Sequence, residues 1–281
     1  MTENAKDMTV VVTGASGRTG RRVARAAEAA GLDVRPVSRA TGFDWTDRTT
    51  WADTLRGAHA AYLVHPFDIG APDAARDVGL FAHEAVGLGV RRLTLLSARG
   101  EEAARPAEEA LRESGADWTV VRASWFAQNF SEGPLAEELR ATGGLVFPAG
   151  EVREPFVDLA DVAEVVVAAL TGGERYVGQA VDVTGPRLLT FGEAVAEIGA
   201  ACGREMRYTS VPVEAYGARL VEAGGRRRRR RSFCSRCSSS CSTGATRMSP
   251  TGCGRCWGVR PGTSRRSCGR RRGAGAWGVG G

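Results

Sequence analysis

Three glycines near the start of the chain, at positions 14, 17 and 20, have the spacing of a loop that binds the pyrophosphate of a dinucleotide. Apolar residues before them predict a strand, and the residues after them predict a helix from Arg18 to Ala30. Backbone N–H groups and the positive end of the helix dipole would then face a phosphate. An ordinary strand-turn-helix is the alternative. The context favours a dinucleotide cradle made of Gly14, Ala15, Ser16, Gly17, Arg18, Thr19 and Gly20.

A basic residue follows the second predicted strand, Asp33 to Ser38, where the ribose of an adenosine would lie. Enzymes that use NAD usually place an acid there, on the 2′-hydroxyl, whereas enzymes that use NADP place a base. Arg39 occupies this position, and Arg18 lies on the same side, so two guanidinium groups could bind a 2′-phosphate. The sequence therefore predicts NADP(H) in preference to NAD(H). The alternative is that both arginines are solvated surface charges.

The net charge of +6 is the sum of two unlike parts. All 32 acidic residues lie at or before Glu222, together with 23 of the 38 basic residues, so this part carries a charge of −9. The 15 basic residues that remain all lie after Glu222. The net charge is therefore no evidence that the main part of the chain binds nucleic acid.

Residues 223–281 are rich in Arg, Ser, Gly and Cys and poor in apolar residues, so they cannot build a core. Four of their cysteines have the spacing of a zinc site: Cys234, Cys237, Cys253 and Cys256. With the run from Arg226 to Arg231, this spacing would suggest a nucleic-acid-binding module. However, only one of the 38 basic residues is a lysine, which indicates a GC-rich gene. When the bases that encode these Cys and Ser residues are read in another frame, they give codons for apolar residues, as expected if the tail is translated in the wrong frame. We therefore predict an out-of-frame, disordered tail with no metal site and no nucleic-acid partner.

Apolar runs alternate with amphipathic segments in the first half of the chain, which predicts a Rossmann-type α/β fold with a doubly wound parallel sheet. The predicted strands are Val10 to Thr13, Asp33 to Ser38, Ala60 to Val64, Arg92 to Ser97 and Trp118 to Arg122. The predicted helices are Arg18 to Ala30, Thr49 to Arg56, Ala71 to Leu88 and Glu101 to Ser114.

The pattern changes at Trp125, where a longer helix to Ala141 is predicted, followed by helices that begin at Asp158, Phe191 and Val213. We assign residues 8–222 to one NAD(P)-binding domain. Residues 1–124 would mainly hold the cofactor, and residues 125–222 would form a small substrate lobe. No secretory signal and no run of about 18 apolar residues is present, so we expect a cytoplasmic protein with a small-molecule substrate and no membrane partner.

Several motifs occur in an order that resembles the NmrA-like branch of the atypical short-chain dehydrogenase/reductase superfamily. Besides the glycine loop they are Ser97-Ala98-Arg99-Gly100, the segment from Val121 to Phe130, Pro155-Phe156-Val157-Asp158 with Asp161-Val162-Ala163, and Thr184-Gly185-Pro186. Trp125 to Gly133 looks most like the group named after ergot-alkaloid biosynthesis reductases. The resemblance implies that the glycine loop and Arg39 hold NADP(H). It also implies that Asp44 and Trp45, taken to follow the third strand, lie by the adenine.

One departure from typical short-chain dehydrogenases restricts the chemistry. Their Tyr-x-x-x-Lys pair passes a proton to or from a substrate oxygen. None of the four tyrosines here is followed at four residues by lysine, because Lys6 is the only lysine. An iminium carbon accepts hydride without a proton, and quinone-like or azo acceptors can take a proton from water or a weak donor. Two functions follow: an NADPH-dependent oxidoreductase, or a non-catalytic NADP(H) sensor that binds a protein partner.

No catalytic residue is predicted, but polar and aromatic residues near strand ends are candidates for ligand contacts. By position, His65 and Ser97 are expected near the nicotinamide. Four residues of the ergot-like segment could wall and orient a flat substrate: Trp125, Phe126, Gln128 and Asn129. Structural alternatives stay open, because His65 could be a solvated turn residue and the aromatic residues could pack the small lobe.

Overall fold

A computed structural model describes residues 8–223 of the chain. Within them two compact units are found, residues 8–123 with Leu159–Val183, and Ser124–Asp158 with residues 184–223. The predicted out-of-frame tail, with its four zinc-type cysteines, lies outside the described residues. Among the helices of residues 8–223, none is both long and apolar enough to span a bilayer.

The described residues form ten strands and eight helices. The strands are β1 (Thr9–Val12), β2 (Asp33–Pro36), β3 (Ala60–Leu63), β4 (Arg92–Ala98), β5 (Asp117–Ala123), β6 (Gly144–Phe147), β7 (Arg153–Glu154), β8 (Gln179–Val183), β9 (Leu189–Thr190) and β10 (Arg207–Ser210). The helices are α1 (Gly20–Ala29), α2 (Trp51–Leu55), α3 (Ala74–Gly87), α4 (Arg105–Arg112), α5 (Pro134–Thr142), α6 (Leu159–Thr171), α7 (Phe191–Cys202) and α8 (Val213–Ala223).

The first unit contains a six-stranded sheet in the order β2-β1-β3-β4-β5-β8, with every neighbouring pair parallel. Its central strands β1, β3, β4 and β5 are mostly buried and rich in apolar residues, as expected where helices cover a parallel sheet on both faces. Helix α1 packs against α6, and α3 packs against α4. The predicted Rossmann-type sheet is confirmed. Strand order reverses at β1, which places the glycine loop at the switch point where ligands bind in such folds.

The second unit is organised around Phe191, whose side chain is fully buried. The rings of Phe147 and Trp125 have centroids 4.9 and 5.1 Å from the centroid of Phe191. Two small sheets, β10 with β6 and β7 with β9, flank this aromatic core. Helix α7 begins at Phe191 because the side chains of Thr190 and Glu193 cap each other's backbone N–H groups.

The prediction of one helix from Trp125 to Ala141 is wrong. Phe126 is extended and forms a bridge with Val157, and the next residues form only a short 3₁₀ turn, Ala127–Phe130. Gly133 then adopts φ +87°, and Pro134 starts α5. A glycine with positive φ interrupts a helix, and a proline suits the first position of a new one. Apolar residues before and after this break have the spacing of one continuous helix, and this spacing caused the wrong prediction.

Candidate cofactor site

The glycine loop begins where β1 ends and is tied to β3. The Thr13 hydroxyl donates to the Tyr62 carbonyl at 3.0 Å and accepts from the Val64 amide at 2.9 Å. Gly14 has φ +62°, and a Cβ there would lie 2.7 Å from Val64 Cγ1. Both backbone conformation and space therefore require glycine at the first position of the loop.

The other two glycines of the loop differ in their surroundings. Gly20 is buried at the start of α1, and a Cβ there would overlap the Gly14 carbonyl. Gly17 is exposed, and its amide donates to the Gly14 carbonyl at 2.8 Å. Gly20 thus permits close packing of the loop on the helix. Gly17 leaves open backbone where a pyrophosphate could approach, so the loop fits the cofactor that the sequence predicts.

The N-terminus of α1 also fits a phosphate group. Within the described part of the chain, the side chain of the N-cap residue Thr19 makes no capping hydrogen bond, and the first turn contains no acidic residue. The first N–H groups of a helix lack partners inside the helix, so they bind caps, water or ligands. An uncapped, carboxylate-free N-terminus beside exposed Gly17 favours an anion.

Arg39 lies directly after β2, as the first residue of a short 3₁₀ turn, Arg39–Thr41. The turn is held in place because the Ser38 amide donates to the Thr41 hydroxyl at 2.8 Å. The Arg39 side chain is exposed and Arg18 is half-buried. No acidic residue occurs from the end of β2 to this turn. This is the placement that a 2′-phosphate would require.

Asp44 and Trp45 lie between β2 and α2, before the third strand, so the order expected from the resemblance is wrong. Hydrogen bonds from the backbone and side chain of Thr46 lower the pKa of the Asp44 carboxyl, with a smaller contribution from Arg39. Trp45 is only 5% exposed and its ring packs 4.8 Å from that of Phe81. Trp45 is therefore part of the core, and contact with an adenine stays a prediction for both residues.

His65 follows β3 and is buried, so the alternative of a solvated turn residue is wrong. Its side chain is 2% exposed and its Nε2 lies 3.4 Å from Asp77 Oδ2. Its Nδ1 is enclosed and has no hydrogen-bond partner among residues 8–223. The rings of Trp45 and Phe67 pack at 5.8 and 5.9 Å from the imidazole.

Ser97 is also buried, but its hydroxyl donates to Glu108 Oε1 at 2.7 Å. Arg122 binds the same carboxylate with two nitrogens, Nε at 2.9 Å from Oε1. Burial raises the pKa of Glu108, but the hydrogen bonds from Arg122 and Ser97 outweigh it and hold the pKa below its usual value. A nicotinamide contact by Ser97, which stays a prediction, would have to use its hydroxyl oxygen as an acceptor, because the hydroxyl proton is donated to Glu108.

Sequence reasoning missed Glu108, although an acidic residue on the apolar face of a predicted helix was a usable signal. A carboxylate at such a position is buried only when basic or hydroxyl groups compensate it.

The four predicted substrate residues lie together in the second unit, in or just before the 3₁₀ turn Ala127–Phe130. Gln128 is buried, and its side-chain amide donates to Asp158 Oδ1 at 2.9 Å. Trp125, Phe126 and Asn129 are half-buried. The Trp125 ring packs on Phe147 and Phe191, which supports the packing role considered above. A substrate contact by these four residues stays a prediction.

Comparison with known proteins extends these observations. Residues 106–226 match the NmrA-like family. The uncharacterized oxidoreductase YesF of Bacillus subtilis is 31% identical over 232 residues, which cover 78% of this chain and 80% of that protein. The (4-alkanoyl-5-oxo-2,5-dihydrofuran-3-yl)methyl phosphate reductase of Streptomyces griseus is 34% identical, over 75% of this chain and 80% of that protein.

Agroclavine dehydrogenase of Claviceps fusiformis is 30% identical, over 77% of this chain and 81% of that enzyme. Among solved structures, the NADPH-dependent quinone oxidoreductase QOR2 of Escherichia coli, complexed with NADPH, has a similar fold. Its TM-score is 0.73 at 18% identity, and the match covers 94% of this chain and 99% of that one. From the extent of the sequence similarity, we conclude that the chain belongs to the NmrA-like family.

Proposed function

We propose that this protein is an NADPH-dependent oxidoreductase that transfers hydride to a small, electron-poor acceptor. The observation that carries the proposal is the loop after β1, where exposed Gly17 adjoins the N-terminus of α1, whose N-cap residue Thr19 makes no side-chain capping hydrogen bond within residues 8–223. Arg39 adds a base, and no acid, at the end of the neighbouring strand β2. The names of the relatives, which include a reductase and a dehydrogenase, support the same reaction type.

Specific groups of this chain would hold each part of the cofactor. The N–H groups at the start of α1 and the backbone at Gly17 would bind the pyrophosphate. Arg39 and Arg18 would bind the 2′-phosphate with charge-assisted hydrogen bonds. NADPH, when bound, supplies a hydride from its reduced nicotinamide. Because Arg39 is exposed, its guanidinium can reach a phosphate without leaving a buried position.

The chemical class of the hydride acceptor is restricted because the sequence has no Tyr/Lys pair to supply a proton. Lys6 is the only lysine, so no tyrosine can be activated by the usual lysine partner. An acceptor that is already cationic at the reacting carbon, such as an iminium ion, needs no proton for hydride addition. A quinone or azo compound needs only a weak proton donor. The aromatic residues Trp125 and Phe126, both half-buried, are the candidates for contact with such a flat molecule.

The proposal is tested with the purified full chain, NADPH, and a panel that contains a quinone, an azo dye and a cyclic iminium salt. Oxidation of NADPH is followed by the absorbance of the reduced nicotinamide. We expect turnover of at least one acceptor with NADPH, and slower turnover with NADH at the same concentration. The Gly17→Val variant is the control, because a side chain at this exposed position would occupy the space of the pyrophosphate. Turnover that is equal in this variant would contradict the proposal.

A second candidate is a non-catalytic NADP(H) sensor, which is favoured by the absence of the Tyr/Lys pair in the sequence. A sensor would bind NADPH and NADP⁺ with different effects on a protein partner. The same experiment separates the two functions. Tight binding of NADPH with no turnover of any acceptor would favour the sensor.

A further inference from the structure

Histidine is the side chain that most often transfers a proton in catalysis. The chain has three histidines, and all of them lie in the described residues. His59 is at the opposite edge of the sheet, where it accepts from the Thr9 amide at 3.0 Å. His83 is exposed on α3, with Nδ1 2.8 Å from the Gly79 carbonyl. Burial raises the pKa of the Tyr62 hydroxyl, so Tyr62 is a weaker acid than usual. His65 is the histidine at the cofactor edge.

The position of His65 is linked to the glycine loop through the preceding residue. The Val64 amide donates to the Thr13 hydroxyl, which belongs to the residue just before Gly14. Gly14 also approaches Val64 so closely that a Cβ there would lie 2.7 Å from its Cγ1. Strand β3 is the neighbour of β1 in the sheet. Val64, just after the end of β3, contacts the glycine loop, and His65 is the next residue along the chain. Any nicotinamide that extends from this loop along the strand ends passes this region.

The surroundings of His65 hold its ring and leave Nδ1 buried without a hydrogen-bond partner among residues 8–223. Asp77 Oδ2 is 3.4 Å from Nε2, and Asp77 Oδ1 accepts from Arg76 Nε at 3.0 Å. Arg76 also lies 3.4 Å from Asp73, and both of these side chains are exposed, so Asp77 is the charged residue of α3 that contacts the histidine in the described chain. The rings of Trp45 and Phe67, which carry no charge, also pack against the imidazole.

This arrangement determines what each nitrogen can do. The carboxylate of Asp77 favours a proton on Nε2, so Nδ1 is an acceptor in the neutral ring and a donor in the imidazolium. Nδ1 is enclosed without a partner in the described chain, and a buried polar atom without a partner is costly. A ligand that met Nδ1 would remove that cost.

We propose that His65, positioned by Asp77, supplies the proton that a quinone or azo acceptor takes up when it is reduced. This rests on the proposed function. The acceptor receives hydride from the reduced nicotinamide, its double bond opens, and the displaced electron pair stays on oxygen or nitrogen. That atom takes the proton from Nδ1 of the imidazolium, and solvent returns a proton to the neutral imidazole. The cofactor leaves oxidised and the acceptor leaves with two added hydrogens. An iminium acceptor receives hydride alone and gives a neutral amine.

The two acceptor classes therefore form an internal control. We would compare the wild type with His65→Asn, Asp77→Asn and the control His83→Asn, using menadione and a cyclic N-alkyl iminium salt. For His65→Asn we expect kcat with menadione to fall about 100-fold, the lower end for loss of a general acid, since water can replace it. Asp77→Asn should show a smaller fall, and His83→Asn none. With the iminium salt all variants should stay within about twofold of the wild type, because no proton is transferred.

Three further readouts separate this role from a structural one. The dependence of kcat with menadione on pH should differ between the wild type and His65→Asn, since only the wild type can transfer a proton through this ring. The affinity for NADPH, measured by its fluorescence, should be unchanged in that variant. In the wild-type complex with NADP⁺, addition of menadiol should shift the NMR signals of the His65 ring and leave those of His83 in place.

Each other outcome contradicts the proposal. Equal losses with both acceptors would make His65 a structural residue, and a loss of NADPH affinity would make it a cofactor contact. Unshifted His65 signals would show that the ring does not meet the product, even if His65→Asn fails to fold. Absence of turnover with both acceptors in the wild type would refute the proposed function itself, and this inference with it. Turnover of the iminium salt alone would leave the proposed function standing and refute the role of His65.

Discussion

Replacing Glu108 by glutamine should destabilise the protein strongly, whereas the same change at the neighbouring Glu109 should not. Glu108 is 1% exposed on α4, and its carboxylate accepts hydrogen bonds from Arg122 on β5 and from Ser97 on β4. Glutamine keeps the shape of the side chain but removes the charge that compensates Arg122. The NH₂ group of the glutamine is itself a donor, so it would face the donors of Arg122 or Ser97 without forming a hydrogen bond.

The structure sets the size of the effect. Breaking a buried ion pair by removing one partner costs about 3–5 kcal/mol. The Arg122 side chain keeps 17% exposure, so water can partly solvate it and we expect the lower end, about 3 kcal/mol. For a chain of this size each kcal/mol corresponds to about 2–4 °C in Tm, so Tm should fall by about 6–12 °C. The Glu109 side chain is 56% exposed in its pair with Arg112, and such surface pairs contribute about 0–1 kcal/mol.

The effect should also depend on pH with a definite sign. Glu108 has a pKa below its usual value because hydrogen bonds from Arg122 and Ser97 outweigh the effect of burial. A lowered pKa in the folded state contributes stability that is present above the pKa of the unfolded chain, about 4.3. This contribution is lost as the pH falls through the lower pKa of the folded state. The difference in Tm between wild type and Glu108→Gln should therefore shrink in acid.

Thermal unfolding of wild type, Glu108→Gln and Glu109→Gln would be followed by circular dichroism from neutral to acidic pH. Equal shifts of Tm for the two variants at neutral pH would refute the reasoning. So would a difference between wild type and Glu108→Gln that grows as the pH falls.

Three further predictions concern the cofactor and the tail. The Arg39→Asp variant should lose about 10–100-fold in affinity for NADPH relative to NADH, the value of one charge-assisted hydrogen bond of about 1.5–3 kcal/mol. Unchanged NADPH affinity in a fluorescence titration would show that Arg39 does not meet the 2′-phosphate. Gly17→Val should abolish NADPH binding with a nearly normal circular dichroism spectrum. A Cβ there meets only the Gly14 carbonyl, at 3.0 Å, and the exposed loop can adjust. Normal binding would mean that the loop is only a turn. If residues 225–281 are out of frame, limited proteolysis should remove them, and a gene with the frame restored should give more soluble protein and more turnover. Stoichiometric zinc bound at Cys234 and Cys253 would contradict this.

The sheet of the first unit could be predicted because its signals are local. A fully buried parallel strand needs a short apolar run, and such runs are visible at Thr9–Val12 and Ala60–Leu63 without knowledge of their neighbours. The glycine spacing is equally local, since each glycine answers a requirement of the turn or of the helix that follows it. In the second unit the same kind of reading failed between Trp125 and Ala141. There the helical spacing of apolar residues continues past Gly133 and Pro134, although these two residues end one segment and begin the next helix.

The sequence by itself therefore determined the alternation of strands and helices, the glycine loop, the basic residue after β2 and the lack of a Tyr/Lys pair. Only the tertiary structure decided which polar side chains are buried and what they meet. Glu108 joins Ser97 and Arg122 across 11 and 14 residues of sequence, because α4 packs over β4 and β5. His65 meets Asp77 from 12 residues away and has no partner for Nδ1 in the described chain. Such contacts depend on how elements pack against each other, and neither periodicity nor spacing along the chain carries that information.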